Sequence, residues 1–130
     1  MAERLFVYGT LHPDRAPKEI SDIVRRFRHL GHGTIRGIRY ELNDFPAVIL
    51  NSRSKEEVPG EVFALPGGVS TLARLDEYEE FLPNNPSRSL FRRIKTSVSL
   101  DDGSQQECWV YAYNGPLPKT KTRSRVSAAA

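Results

Sequence analysis

The segment TLARLDEYEE, residues 71–80, crowds four acidic side chains into ten residues. A carboxylate does general acid–base chemistry best when it is held partly away from water. Helix geometry separates the four. An advance of about 100° per residue from Leu72 puts Leu75 at about 300° and Glu79 at about 340°. Glu79 thus projects between two leucines, on the stripe that should face a core. Glu77 falls on the opposite side, while Asp76 and Glu80 lie at the margins. A carboxylate on an apolar stripe is costly to ionise, and burial raises its pKa toward the range of a useful base. If the helix ends at Tyr78, Glu79 instead points to water, and periodicity alone leaves both readings open.

A second chemical feature stands near the start, in LFVYGTL. A short apolar run, Leu5 to Tyr8, ends abruptly at Gly9. With no Cβ, Gly9 lets the chain turn sharply and bring adjacent N–H groups close to a ligand. Such a nest suits a carboxylate or a developing oxyanion, and Thr10 adds a hydroxyl. The plain alternative is a turn and nothing more.

The remaining reactive residues point elsewhere. His12, His29 and His32 show no metal-ligand spacing with a cysteine or a carboxylate pair, so no metal is expected. Cys108 has no evident histidine partner and reads as a small packed or surface residue rather than a nucleophile. Asp44, Glu61 and Asp76 read as structural partners of basic residues.

These groups need elements to hold them. Arg4–Tyr8 reads as a first strand. Ile20, Ile23, Val24 and Phe27 recur at helical spacing, which predicts an amphipathic helix over 17–28, interrupted by Gly31 and Gly33. Strands follow over 34–42, 47–51 and 61–65. A helix over 71–78 starts with Ser70 as its N-cap. Two late strands, 91–99 and 107–113, join through a hairpin turn at Asp101-Asp102-Gly103. Short strands with two helices imply an α+β fold on a strongly curled or closed sheet.

Composition bounds the function. The chain has 130 residues, 38% hydrophobic and 27% charged, which suits one globular domain. It contains no apolar run long enough for a membrane helix and no basic-then-apolar leader at its start. With its single cysteine, this favours a cytoplasmic protein. The net charge of +3 comes from Lys119, Lys121, Arg123 and Arg125. Without them 15 basic residues face 16 acidic ones, leaving −1 from the original 19 against 16. The basicity is therefore not spread over the fold, and neither a nucleic-acid nor a membrane partner is expected. Residues 1–116 read as the domain. Residues 117–130 read as a basic, disordered tail whose simplest role is a solvated end.

In order along the chain stand Tyr8-Gly9-Thr10-Leu11, Gly37 to Tyr40 with Phe45-Pro46-Ala47, Val58-Pro59-Gly60-Glu61-Val62-Phe63, Leu75-Asp76-Glu77-Tyr78-Glu79, Phe91-Arg92-Arg93 and Trp109 to Tyr113. Together they resemble the gamma-glutamylcyclotransferase superfamily, closest to its small gamma-glutamylamine cyclotransferase-like branch. The resemblance implies a small closed or nearly closed mixed β-barrel with flanking short helices. It implies a reaction in which the substrate's own α-amino group attacks its γ-carbonyl, releasing 5-oxoproline and a free amine without a cofactor. The substrate would be a small gamma-glutamyl amine or peptide. Carried over by position, Glu79 is the catalytic glutamate. Tyr8, Gly9, Thr10 and Leu11 hold the glutamyl group, and Tyr113 is an aromatic near the pocket. The chain departs from the family pattern at Glu80, where glycine is usual, at Phe91, where tyrosine is usual, and in a longer loop from Pro83 to Ser89. A second reading of the same residues is a non-catalytic module that binds a small carboxylated or gamma-glutamyl ligand.

Overall fold

The computed structural model describes residues 3–8, 18, 20–42, 45–51, 53–79, 81, 84–85, 89, 91–114 and 122–123. Its strands are β1 (Glu3–Val7), β2 (Arg28–Leu42), β3 (Phe45–Leu50), β4 (Glu57–Leu65), β5 (Phe91–Leu100), β6 (Gln105–Tyr113) and β7 (Thr122–Arg123), with helices α1 (Ser21–Val24) and α2 (Val69–Tyr78).

Five strands close into a mixed barrel in the order β2-β4-β1-β6-β5 and back to β2. The only parallel neighbours in this ring are β1 and β6, with Leu5 opposite Trp109. Closure occurs where Gly33 and Thr34 of β2 meet Leu100 and Ser99 of β5. Glycine is required at this seam. A Cβ on Gly33 would lie 2.7 Å from the Ser99 carbonyl oxygen and 2.9 Å from Val98 Cγ1. Strand β2 is long enough to serve two layers. Its first half pairs with β4, and residues from Gly37 onward pair with β3 outside the ring.

Alternation along the strands sorts side chains between two cores. Phe6, Ile35, Val58, Val62, Val98, Cys108 and Val110 fill the barrel interior. Leu5, Val7, Phe63, Leu65 and Tyr111 face outward and are covered by Ile20, Val24 and Phe27 on one side and by Leu72 and Leu75 of α2 on the other. Cys108 is fully buried, and that burial pushes its thiol up to about 11, outweighing the opposing pull of Arg4 and Lys95. It is a packing residue.

The expected hairpin forms. Gly103, at φ 91°, donates to the Leu100 carbonyl at 2.9 Å, and Asp102 accepts from the Ser104 amide at 2.8 Å. The first helix differs from its expected span. Its apolar stripe is buried, but the helix covers only Ser21–Val24, because Arg28 already pairs with Ala64 of β4. Gly31 and Gly33 lie inside β2 rather than interrupting anything. Tertiary pairing here overrides local periodicity. At α2 the N-cap is Gly68, not Ser70. Ser70 sits in the first turn and its hydroxyl donates to the Gly67 carbonyl at 2.9 Å. Within the segment expected as a tail, Thr122 and Arg123 pair with Glu41 and Tyr40 of β2. No helix among the described residues is long and apolar enough to cross a membrane.

Candidate active site

Because β1 and β6 run parallel, their C-terminal ends share one rim of the barrel. The antiparallel β5 begins at the same rim, with Phe91 opposite Tyr113. Tyr8 follows directly on β1. Its hydroxyl crosses to donate to the Tyr111 carbonyl at 2.5 Å. The Tyr8 carbonyl accepts from Arg39 Nη1 of β2 at 3.2 Å, and Arg39 also pairs with Glu41 at 3.2 Å. Tyr8 is thus tied to two strands. Gly9, Thr10 and Leu11 lie outside the described residues.

Glu79 arrives at this rim from α2. The helix ends at Tyr78, and Glu79 is its C-cap, with φ −83° and ψ 2°. Its amide still donates to the Leu75 carbonyl at 2.9 Å, so the cap is held by the last helical turn. The side chain is half-buried. Its charge acts on two hydroxyls. Burial pushes Tyr8 far above the ordinary tyrosine range, and the nearby Glu79 carboxylate raises it further against the smaller pull of the Val48 backbone and Arg39. Tyr111 is raised by burial first, then by its hydrogen bond to Asp76 and by the charges of Asp76 and Glu79. Glu79 is therefore within electrostatic reach of Tyr8 and Tyr111, although the helix stops short of it. Leu72 and Leu75 face the core and Glu77 faces out, as the helical projection has it.

Tyr113 stands two residues beyond Tyr111 on the same strand face. Its ring meets Phe91 edge-on, with centroids 5.7 Å apart and planes at 71°. It packs between the outer core and a small cluster of Tyr40, Ala47, Ile38 and Ile49. Phe91, the departure from the family's tyrosine, serves here as an apolar neighbour of Tyr113.

Asp76 is the residue whose importance the helical projection understates. It is 5% exposed. Its carboxylate accepts from Arg93 Nε at 2.7 Å and Nη2 at 3.1 Å, a bidentate pair, and from the Tyr111 hydroxyl at 2.7 Å. Arg93 in turn lies 4.3 Å over the Trp109 ring and 5.7 Å from the Phe81 ring. The Phe81 amide donates back to the Asp76 carbonyl at 2.8 Å. These contacts clamp the end of α2 onto β5 and β6, and Glu79 sits three residues past the clamp. The expected pairing of Asp76 with a basic residue holds. Its partner belongs to the Phe91-Arg92-Arg93 motif, which is the signal that could have linked them.

The arrangement offers one half-buried carboxylate, two hydroxyls kept protonated, and the C-terminal end of β1. That set can move a proton at a reacting group held on the rim.

Comparison with known proteins agrees with this architecture. The family model described as gamma-glutamyl cyclotransferase, AIG2-like, matches residues 5–129. The chain is 32% identical over 114 residues to the gamma-L-glutamyl-butirosin B gamma-glutamyl cyclotransferase of Niallia circulans, which covers 85% of this chain and 66% of that relative. The fold is similar to the crystal structure of an AIG2-like protein from Mus musculus, at TM-score 0.68 and 20% identity, covering 91% of this chain and 81% of that one. It is also similar to YkqA from Bacillus subtilis, at TM-score 0.65 and 19% identity, covering 88% of this chain but only 36% of the longer protein. Both structural neighbours are too distant in sequence to carry more than the fold. With the match running over nearly its whole length, the chain belongs to the AIG2-like gamma-glutamyl cyclotransferase family.

Proposed function

We propose that this chain is a gamma-glutamyl cyclotransferase that converts a small gamma-glutamyl amine or peptide into 5-oxoproline and a free amine. The observation that supports the reading is that the half-buried Glu79 carboxylate acts electrostatically on both Tyr8, at the end of β1, and Tyr111. Family membership supports the reaction class.

The reaction demands little of the protein. The nucleophile is tethered to its own electrophile, so no second molecule must be captured. The enzyme must hold the folded conformer, take a proton from the α-ammonium, stabilise charge on the γ-carbonyl oxygen and protonate the leaving amine. Glu79 takes the proton that the attacking nitrogen sheds and returns it to the departing nitrogen, while the ammonium's other surplus proton is lost to solvent, leaving the single N–H of the lactam. The new bond joins the α-nitrogen to the γ-carbonyl carbon, and the bond to the amine breaks. Tyr8, Gly9, Thr10 and Leu11 hold the glutamyl moiety, with backbone N–H groups of the turn facing its oxygens. Tyr113, packed on Phe91, forms an apolar wall of the pocket. In this reading the clamp at Asp76 sets the position of Glu79.

The test is to incubate the purified chain with gamma-glutamyl amines and dipeptides and measure 5-oxoproline. Each substrate is paired with its N-acetyl form, whose nucleophile is blocked. Release from the free amines and none from the acetylated forms is expected. Saturable binding across the panel with no turnover would make the chain a binding module instead.

A further inference from the structure

Two histidines and a carboxylate, none of them assigned to the site at Glu79, meet at the joint between β2 and β4. His29 Nε2 lies 3.0 Å from Glu61 Oε1, and His32 Nε2 lies 3.4 Å from the same oxygen. All three donor atoms fall within 4.8 Å of one another. We propose that His29, His32 and Glu61 form a binding site for one borderline divalent cation of the zinc type.

Strand geometry explains why the spacing hides this. Residues three apart on a regular strand point to opposite faces. Here the register shifts between His29 and Gly31: His29 pairs with Phe63, Gly31 with Val62 and His32 with Glu61. The extra residue, Leu30, forms a β-bulge, which restores His29 and His32 to one face. Glu61 belongs to that face through its pairing with His32. All three ligands therefore stand on paired strands rather than loops, which suits a preorganised site. The His29 ring is held edge-on by Phe63, with centroids 5.3 Å apart, and by His32 at 5.2 Å.

The donor set selects the ion. Bonds of about 2.0–2.1 Å in a tetrahedron place ligand atoms about 3.3 Å apart. The His29–Glu61 and His32–Glu61 separations bracket that value, and the two imidazole donors lie within 4.8 Å of each other. Two imidazoles and one carboxylate form a three-ligand set that leaves a fourth position to water. Imidazole favours Zn²⁺ and its neighbours over the hard cations Mg²⁺ and Ca²⁺. His29 and His32 are 45% and 63% exposed, so an ion can reach them, while Glu61 at 21% anchors the site. Glu61 pairs with Val7 on its other side, so a bound ion would fasten β2 to β4 next to the end of β1.

The test uses the full, untagged chain and titrates it with Zn²⁺ against a chromophoric chelator, with Co²⁺ absorption as a reporter of coordination. One Zn²⁺ per chain is expected, unaffected by excess Mg²⁺, with visible Co²⁺ bands of low coordination number. His32→Ala should keep its fold because that side chain is largely exposed. It should weaken Zn²⁺ binding at least about tenfold and erase the Co²⁺ bands, since losing a ligand costs no less than losing its support. Glu61→Gln should also weaken binding, whereas His12→Ala, at the histidine the proposed site does not include, should not. Absence of saturable one-to-one binding would overturn the site. So would binding that is unchanged in His32→Ala or lost in His12→Ala. In those cases the cluster is a hydrogen-bonded one only.

Discussion

At the scale of single residues, two carboxylates three positions apart have different tasks. Asp76 is buried and fully engaged by Arg93 and Tyr111, so its charge is spent on holding the helix end. Glu79 is half-buried and within electrostatic reach of Tyr8, so in the proposed reaction it is the one that moves protons. Breaking a buried pair by removing one charge leaves the other uncompensated, at a cost of about 3–5 kcal/mol. Asp76→Asn should therefore lower unfolding free energy by about 3 kcal/mol in urea titrations. Arg93→Lys keeps the charge but loses the planar fork, and should cost about 1–2 kcal/mol. A double-mutant cycle between the two sites should show strong coupling, and additive losses would contradict the clamp. The sequence made Glu79 visible because its projection onto the Leu72–Leu75 stripe needs only helical geometry. It left Asp76 at the margin because burial there is decided by partners 17 and 35 residues away, on two other strands. Local periodicity carries no information about such partners.

At the scale of elements, the barrel depends on a seam only two residue pairs long, Gly33 with Leu100 and Thr34 with Ser99. Gly33→Ala would push a methyl group into the Ser99 carbonyl and the Val98 side chain. Overpacking of this kind costs about 1–3 kcal/mol. Thermal unfolding of Gly33→Ala should show that loss, and a variant as stable as the parent would mean that closure tolerates a gap. Much of this layer can be read from sequence. The apolar run from Leu5 to Val7 already marks a buried strand, and Asp101-Asp102-Gly103 already marks the hairpin. Other features depend on the closed ring. The bulge at Leu30, the glycine seam and the early end of α1 each follow from where β2 must pair. A stretch read alone as helix followed by glycine breaks becomes one long strand once β4 claims it.

At the scale of the whole molecule, the rim couples folding to pH. Tyr8 and Tyr111 are both held protonated above the ordinary tyrosine range, mainly by burial. In the unfolded chain they ionise near their ordinary pKa of about 10. Above that pH the unfolded state binds fewer protons than the folded one, so stability must fall as pH rises. The slope is about 1.4 kcal/mol per pH unit for each group, and it is absent below about pH 9. Stability should thus be lost above about pH 10, twice as steeply in the parent as in Tyr8→Phe. Ultraviolet titration should find Tyr8 and Tyr111 ionising only with unfolding. The activity proposed for the molecule converges on a single carboxylate on this rim. The most direct measurement is 5-oxoproline release by Glu79→Gln beside the parent chain on the best substrate of the panel, with substrate binding followed by calorimetry. The account predicts a loss in turnover of about 10²–10⁴-fold with the fold intact and binding retained. Turnover that survives undiminished in Glu79→Gln would contradict it.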